Sequence, residues 1–368
     1  MLENAYDTGQ LAVHTMAILA EKSVLETMCH LAGNKNLTIW MAQGNEAEDK
    51  AAKAATKCDS IVLDDTAVAT LLLLDLHHRI PELPFRCIIP EAVVQDVRSL
   101  LHHRRKQKPY GYLASVGGRF VFSKPSSEEK MWWVDRLERL LTSLISHCEI
   151  IGGQATLDVP LIDRQKLIRN LGQGTTDAIT TAKKFNLPVW SDDFPVVARI
   201  CEKNGIPRIW TQIALESASS TLGDVVIDEA IKKLFAWKYH FIRLDLLLVI
   251  NILQSAKWDS GHEDSQRLMD YLAVVGANGA RNAIISLQLI ICLWRMCPSQ
   301  KKARELTVAF LEAVGRDAAI KMIARPLYRL QFPAKSGFAY EEMKKPYFRS
   351  LRRMLRKWRS NPHAAIFR

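Results

Sequence analysis

Between residues 59 and 222, short apolar runs alternate with longer helical stretches, and this alternation constrains the fold more than any other feature. The runs read "SIVLDD", "RCIIPE", "HCEIIG", "LPVWSDD" and "PRIWT". Near-continuous apolar runs suit strands buried on both faces, and strands separated by helices pair in parallel. The expected fold class is therefore α/β, a mostly parallel sheet flanked by helices. One stretch departs from the pattern. "KPYGYLASVGGRFVFSKPSS" alternates about Gly117-Gly118 and predicts a β-hairpin insertion.

The flanks read differently. Residues 1–58 form a helical segment: Leu11, Ile18, Leu25, Met28 and Ala32 recur at helical spacing, and Gly33-Asn34 supplies a stop. "NEAEDKAAKAATK" has the composition of an exposed helix. From 223 to 368 the strand signal disappears, and runs such as "IDEAIKKLFAWKYHFIRLDLLLVINILQ" imply an all-α C-terminal domain. The expected organisation is a helical segment over 1–58, an α/β domain over 59–222 and a basic helical domain over 223–368.

The net charge of +11 and the pI near 9.3 favour a polyanionic partner, nucleic acid or acidic lipid. The seven cysteines form no CxxC pair, and Cys292 and Cys297 lack further ligands at zinc spacing, so free thiols in a reducing cytosol are expected. "LAVHTMAILA" is interrupted by His14 and lacks a basic flank, unlike a signal peptide. "LDLLLVINIL", Leu244 to Leu253, is too short to span a bilayer. A soluble, cytoplasmic protein without a membrane span is expected.

The acidic residues gather where strands end. Asp64 and Asp65 follow "IVL"; Asp96 lies in the helix after "IIPEAVV"; Asp177 lies in "LGQGTTDAITTAKKF"; Asp192 and Asp193 follow "PVW". Sites in parallel α/β sheets form beyond the carboxyl ends of the strands. Like charges converging there, with no evident Lys or Arg between them, are costly unless a hard divalent cation offsets them. Milder explanations exist for each: a helix dipole for Asp177, an exposed helical face for Asp96, a helix cap for Thr66. Asp65 and Asp193 read as solvated or hydrogen-bonded companions rather than primary ligands. Gly172-Gln173-Gly174 reads as a hinge or a phosphate-facing helix start. His77-His78 and His102-His103 read as solvated.

The order of "VLDDT", Asp96, "TTDAITTA" and "VWSDDF" resembles a PIN domain, over roughly residues 59 to 215. It is most similar to the PIN domains that end large bacterial multidomain proteins, some carrying tetratricopeptide repeats. The resemblance implies a sheet of five parallel strands flanked by helices and a Mg²⁺- or Mn²⁺-dependent endoribonuclease. Its catalytic acids would be Asp64, Asp96, Asp177 and Asp192, with Asp64, Asp177 and Asp192 on the metal. Thr66 and Asp193 would support them. Glu is commoner than Asp at the position of Asp96.

Near the end of the chain, "KKPYFRSLRRMLRKWRS" places Arg349, Arg352, Arg353 and Arg356 on one helical stripe, and Phe348, Leu351, Leu355 and Trp358 on another. The stripe suits RNA phosphate, a docked terminal helix or, less well, an anionic membrane surface. Three functions follow. The favoured one is a metal-dependent endoribonuclease acting on RNA. The others are a non-catalytic PIN-fold nucleic-acid-binding module, and a regulatory component docking a protein partner through its helical domain.

Overall fold

The structure, a computed structural model, describes residues 6, 11–34, 37–42, 46–106, 112–116, 119–123, 127–240, 242–244, 246–276 and 296–314. It divides into two compact units, Met1–Ile242 and Arg243–Arg368. The boundary expected at 222 lies inside the first unit.

Five parallel strands form the centre of that unit: β1 (Ser60–Leu63), β2 (Arg86–Pro90), β3 (Cys148–Ile151), β4 (Val189–Trp190) and β5 (Arg208–Ile209). Their spatial order is β3-β2-β1-β4-β5. Each corresponds to one of the five apolar runs. The register is set by Val62 opposite Ile88 on one side of β1 and opposite Val189 on the other. The chain moves outward from β1 to β3, then returns to the other side of β1. The crevice between the carboxyl ends of β1 and β4 is therefore the topological switch point, where such sheets bind ligands.

The helices that matter for this crevice are α1 (Asp65–Leu74), α2 (Glu91–Lys106), α3 (Ser127–His147), α4 (Leu161–Phe185) and α5 (Thr211–Ser217). Helix α1, "DTAVATLLLL", is buried at every position but Leu73, as an apolar-all-round core helix should be. Helix α4 supplies Leu171, Ala178, Ile179 and Ala182 to a core shared with Val62, Ile88, Val189 and Val197. Full burial of each larger side chain there stabilises by about 1.5–3 kcal/mol. Gly172, at φ 79° and ψ 168°, breaks α4 into two segments. Only a residue without Cβ adopts that backbone readily. The predicted hairpin is present: Tyr112–Val116 pairs antiparallel with Arg119–Ser123.

In the N-terminal segment the helical repeat is not continuous. Glu21, at φ 53°, ends the helix Val13–Leu19 and a capping box between Ser23 and Glu26 starts the helix Val24–Gly33. Leu25, Met28 and Ala32 are buried, whereas Ile18 is half exposed. Ile39–Trp40 pairs in parallel with Tyr239–His240, so the segment before the sheet and the segment after it close on each other. The second unit, among its described residues, holds the helices Leu246–Ser255, Glu263–Gly276 and Gln300–Val314. The "LDLLLVINIL" run contributes Leu246 to Leu253 to the first of these, with Leu248, Ile250 and Leu253 buried. Among the described residues no helix is long and apolar enough to cross a membrane.

Candidate functional site

The last residue of β1 is followed at once by Asp64, whose extended backbone makes it the N-cap of α1. Its Oδ1 accepts from Thr66 N at 3.0 Å, Ala67 N at 2.9 Å and the Thr66 hydroxyl at 2.7 Å. Its Oδ2 is buried and has no hydrogen-bond partner. Burial, with a smaller push from Asp192, raises this carboxyl to about 6 against the pull of its donors. The Thr66 hydroxyl also accepts from Asp192 N at 2.9 Å, so it ties the end of β1 to the end of β4. The helix cap is thus Asp64, and Thr66 is the bridge.

The two aspartates after β4 have different partners. Both oxygens of Asp192 are occupied: Oδ1 accepts from Thr211 N at 2.8 Å and Oδ2 from the Thr211 hydroxyl at 2.5 Å, at the start of α5. Asp193 does not cap the turn that follows it, contrary to what its position suggests. Its Oδ2 accepts from Val13 N at 2.9 Å, while Oδ1 is buried and unpartnered. Burial foremost, and the charge of Asp64, raise its carboxyl to about 7. The N-terminal segment therefore reaches the crevice. His14 lies against Gly172, and the Thr15 hydroxyl donates to Asn170 O at 3.2 Å.

Of its two expected readings, solvated or hydrogen-bonded, Asp65 takes the second. It is 1 % exposed, with Oδ2 accepting from the Thr175 hydroxyl at 3.3 Å and Oδ1 buried without a partner. Burial, then the charges of Asp96 and Asp64, push its carboxyl well above the ordinary value. Asp96 itself is exposed on α2. Gly174 explains how Asp65 fits: a β-carbon there would collide with both Asp65 oxygens. The Gly172-Gln173-Gly174 stretch is thus a kink at its first residue and a seat for a carboxylate at its last.

Asp177 shares a face of α4 with Gly174, three residues earlier. It is buried, and its Oδ1 accepts from the Thr156 hydroxyl and from Gln173 Nε2 at 2.8 Å. Its carboxylate stands beside Gly153, just beyond β3.

A basic residue does stand at the crevice. Arg208 donates to Ser191 O at 2.9 Å, Met41 O at 3.0 Å and the Glu48 carboxylate at 2.9 Å. Its guanidinium lies over Phe194 and Trp210, with centroids at 5.4 and 5.3 Å. Its charge pulls Asp192 and Asp193 downward but is outweighed by burial. Nothing in "GIPRIWT" marks this arginine except its position one strand away from β4.

Three carboxylate oxygens, from Asp64, Asp65 and Asp193, are thus buried without donors at the switch point. Leaving such atoms unpaired is costly, and a hard cation with oxygen ligands satisfies them. In chemistry the all-oxygen donor set is of the kind a hard divalent cation takes, but among the described residues no three of these acids bring ligand atoms within 4.8 Å of one another. The strand-end aspartates are not gathered as closely as another group: among the described residues, Asp75, His77 and His78 bring three ligand atoms within 4.8 Å of one another. His77 is buried rather than solvated, with only His78 exposed. Arg349, Arg352, Arg353 and Arg356 lie outside the described residues.

A family model described as the PIN domain associated with the TPR-GreAB-C-PIN system matches residues 62–198. Searches of curated proteins and of solved structures return no match. The match spans β1 to the turn after β4, so it contains Asp64, Asp65, Asp96, Asp177, Asp192 and Asp193, and excludes Val13, Arg208 and Thr211. Residues 62–198 are thus similar to a PIN-domain family, and helical regions flank the matched segment on either side.

Proposed function

We propose that the chain is a divalent-metal-dependent endoribonuclease whose acids surround the β1–β4 crevice. The observation that carries the reading is the set of buried carboxylate oxygens without donors on Asp64, Asp65 and Asp193. These three would hold the metal, with Asp177 and Asp96 completing the acidic surround. A bound Mg²⁺ or Mn²⁺ would supply an acidified water and offset charge at the scissile phosphate. The protein's own part is positioning. Three donors fix Oδ1 of Asp64 so that Oδ2 keeps one direction. Gly174 admits the Asp65 carboxylate, and Val13 N–H holds Oδ2 of Asp193. Asp192, expected to be a direct ligand, joins β4 to α5 through Thr211 and acts on the site through Thr66.

RNA is the proposed substrate and the arginine stripe at 349–356 its proposed phosphate contact; the net charge of +11 supports both. The test is cleavage of single-stranded RNA by the full chain in Mg²⁺ or Mn²⁺ and in chelator. Metal-dependent cleavage abolished by Asp65→Asn and Asp193→Asn is expected. Cleavage that survives both substitutions, or none with either ion, overturns the reading. A second reading, a PIN-fold module that binds nucleic acid without cutting, draws on the looser spacing of the strand-end aspartates. It predicts salt-dependent RNA binding and no cleavage.

A further inference from the structure

We propose that Asp75, His77 and His78, at the carboxyl end of α1, form a second cation site, for a borderline divalent ion of the Zn²⁺ class. The site is distinct from the acidic crevice, since ten residues of α1 separate the two by about 15 Å.

The ligand atoms of the three side chains lie within 4.8 Å of one another. His77 Nδ1 is 3.9 Å from Asp75 Oδ1. Neither atom has a hydrogen-bond partner, and the His77 side chain is 2 % exposed. A buried imidazole nitrogen aimed at an unsatisfied carboxylate oxygen is the feature a cation would satisfy. The His77 and His78 rings are edge-on, 5.8 Å between centroids at 87°.

The surroundings set these groups. Asp75 ends α1 in the left-handed region, φ 60° and ψ 35°, a conformation Asp tolerates better than most residues. Arg136 on α3 lies 3.3 Å from Asp75 Oδ2, donates to Leu72 O at 3.2 Å and covers the Trp132 ring at 4.5 Å. It engages Oδ2 and leaves Oδ1 turned toward His77, as outer partners of metal-bound carboxylates do. The His77 carbonyl accepts from the Ser143 hydroxyl, which fixes the backbone that carries the ring.

The chemistry selects the ion. Two imidazoles and one carboxylate suit Zn²⁺, Ni²⁺ or Co²⁺, whereas Mg²⁺ prefers oxygen alone. Three protein ligands, the outer one exposed, leave a position for water. The C-terminal end of a helix also favours positive charge. The guanidinium of Arg136 opposes it.

The experiment uses Co²⁺ as a spectroscopic probe on the full chain, with Zn²⁺ in competition. Wild type is expected to give one visible-band signal that Zn²⁺ displaces, and Zn²⁺ to raise its Tm. His78→Ala, an exposed change that leaves folding intact by circular dichroism, should weaken Co²⁺ binding about tenfold or more. Asp65→Asn with Asp193→Asn should retain it. No Co²⁺ signal in wild type, or equal affinity in His78→Ala, overturns the site. So does a signal lost only with Asp65 and Asp193, which would place the ion in the acidic crevice.

Discussion

The two ends of α1 present opposite chemistries on one helix. At its start, Asp64 and Asp65 sit where free N–H groups and the dipole favour negative charge, and every ligand atom is oxygen. At its end, Asp75, His77 and His78 sit where the dipole favours positive charge, and two of three candidate ligands are nitrogen. The first end opens at the switch point between β1 and β4; the second is closed by α3 through Arg136 and Ser143. On the two proposals above, a ten-residue apolar helix would carry a hard-cation site at one end and a borderline-cation site at the other, with ligands matched to the sign of its dipole at each end.

The strongest challenge to this contrast is substitution of the acids with unpartnered oxygens. Asp65→Asn and Asp193→Asn should each lower metal-dependent cleavage by roughly 10²-fold or more, since each removes charge from where the phosphate is neutralised. Asp192→Asn should instead cost mainly stability, as it disturbs the Thr211 pair. Equal kinetic losses at 192 and 193, with unchanged Tm, would mean that both aspartates meet the ion.

The acidic end should also make the metal-free protein sensitive to pH. Asp193 is raised to about 7 and Asp64 to about 6, from an ordinary 3.8. Between those values the folded form binds protons that the unfolded form has lost. The stabilisation is full below about pH 4 and disappears as pH rises through 6 and 7. In chelator, Tm should fall from pH 5 to pH 8, by at most a few kcal/mol of stability. Asp193→Asn should flatten that fall and Mn²⁺ should reverse it. A Tm rising over this range in wild type, relative to the variant, would show that these carboxyls are ionised without cost.

Much of this was legible in the sequence. The five strands and the hairpin stood out because apolar runs and turn residues are local signals. The doublets Asp64-Asp65 and Asp192-Asp193 marked the strand ends, but their internal roles were hidden. Which member of each pair is tied up depends on partners far away in sequence: Thr211 for Asp192, Val13 for Asp193, Gly174 for Asp65. Arg208 was missed for the same reason, since its stacking between Phe194 and Trp210 forms only once β5 lies beside β4. His77 looked solvated because its burial comes from α3.

Gly174→Ala tests the seat of Asp65 directly. The new β-carbon meets both carboxylate oxygens and the Val93 side chain, so the fold should lose about 1–3 kcal/mol and cleavage should fall with it. Paired with Asp65→Ala, which vacates the space, the stability loss should shrink. An unchanged loss in the double variant would mean that Val93, not Asp65, requires the glycine.

The smallest effect belongs to the middle of α1, where Thr70 stands between the two ends. Its hydroxyl is 2.9 Å from the Tyr239 hydroxyl, and Asp192 also draws on it. Tyr239 lies beyond the matched PIN segment, in the strand that pairs with Ile39–Trp40, so this contact links that two-stranded pair to the β4 end of the crevice. Tyr239→Phe removes one buried hydroxyl while keeping the ring, and should cost about 1 kcal/mol. Thr70 can still turn its proton toward Asp192, so cleavage should stay near wild type. The comparison is Tm and kcat in the same preparation. A loss of kcat beyond the change in folded fraction would show that Asp192 acts on the metal site through this chain of hydroxyls.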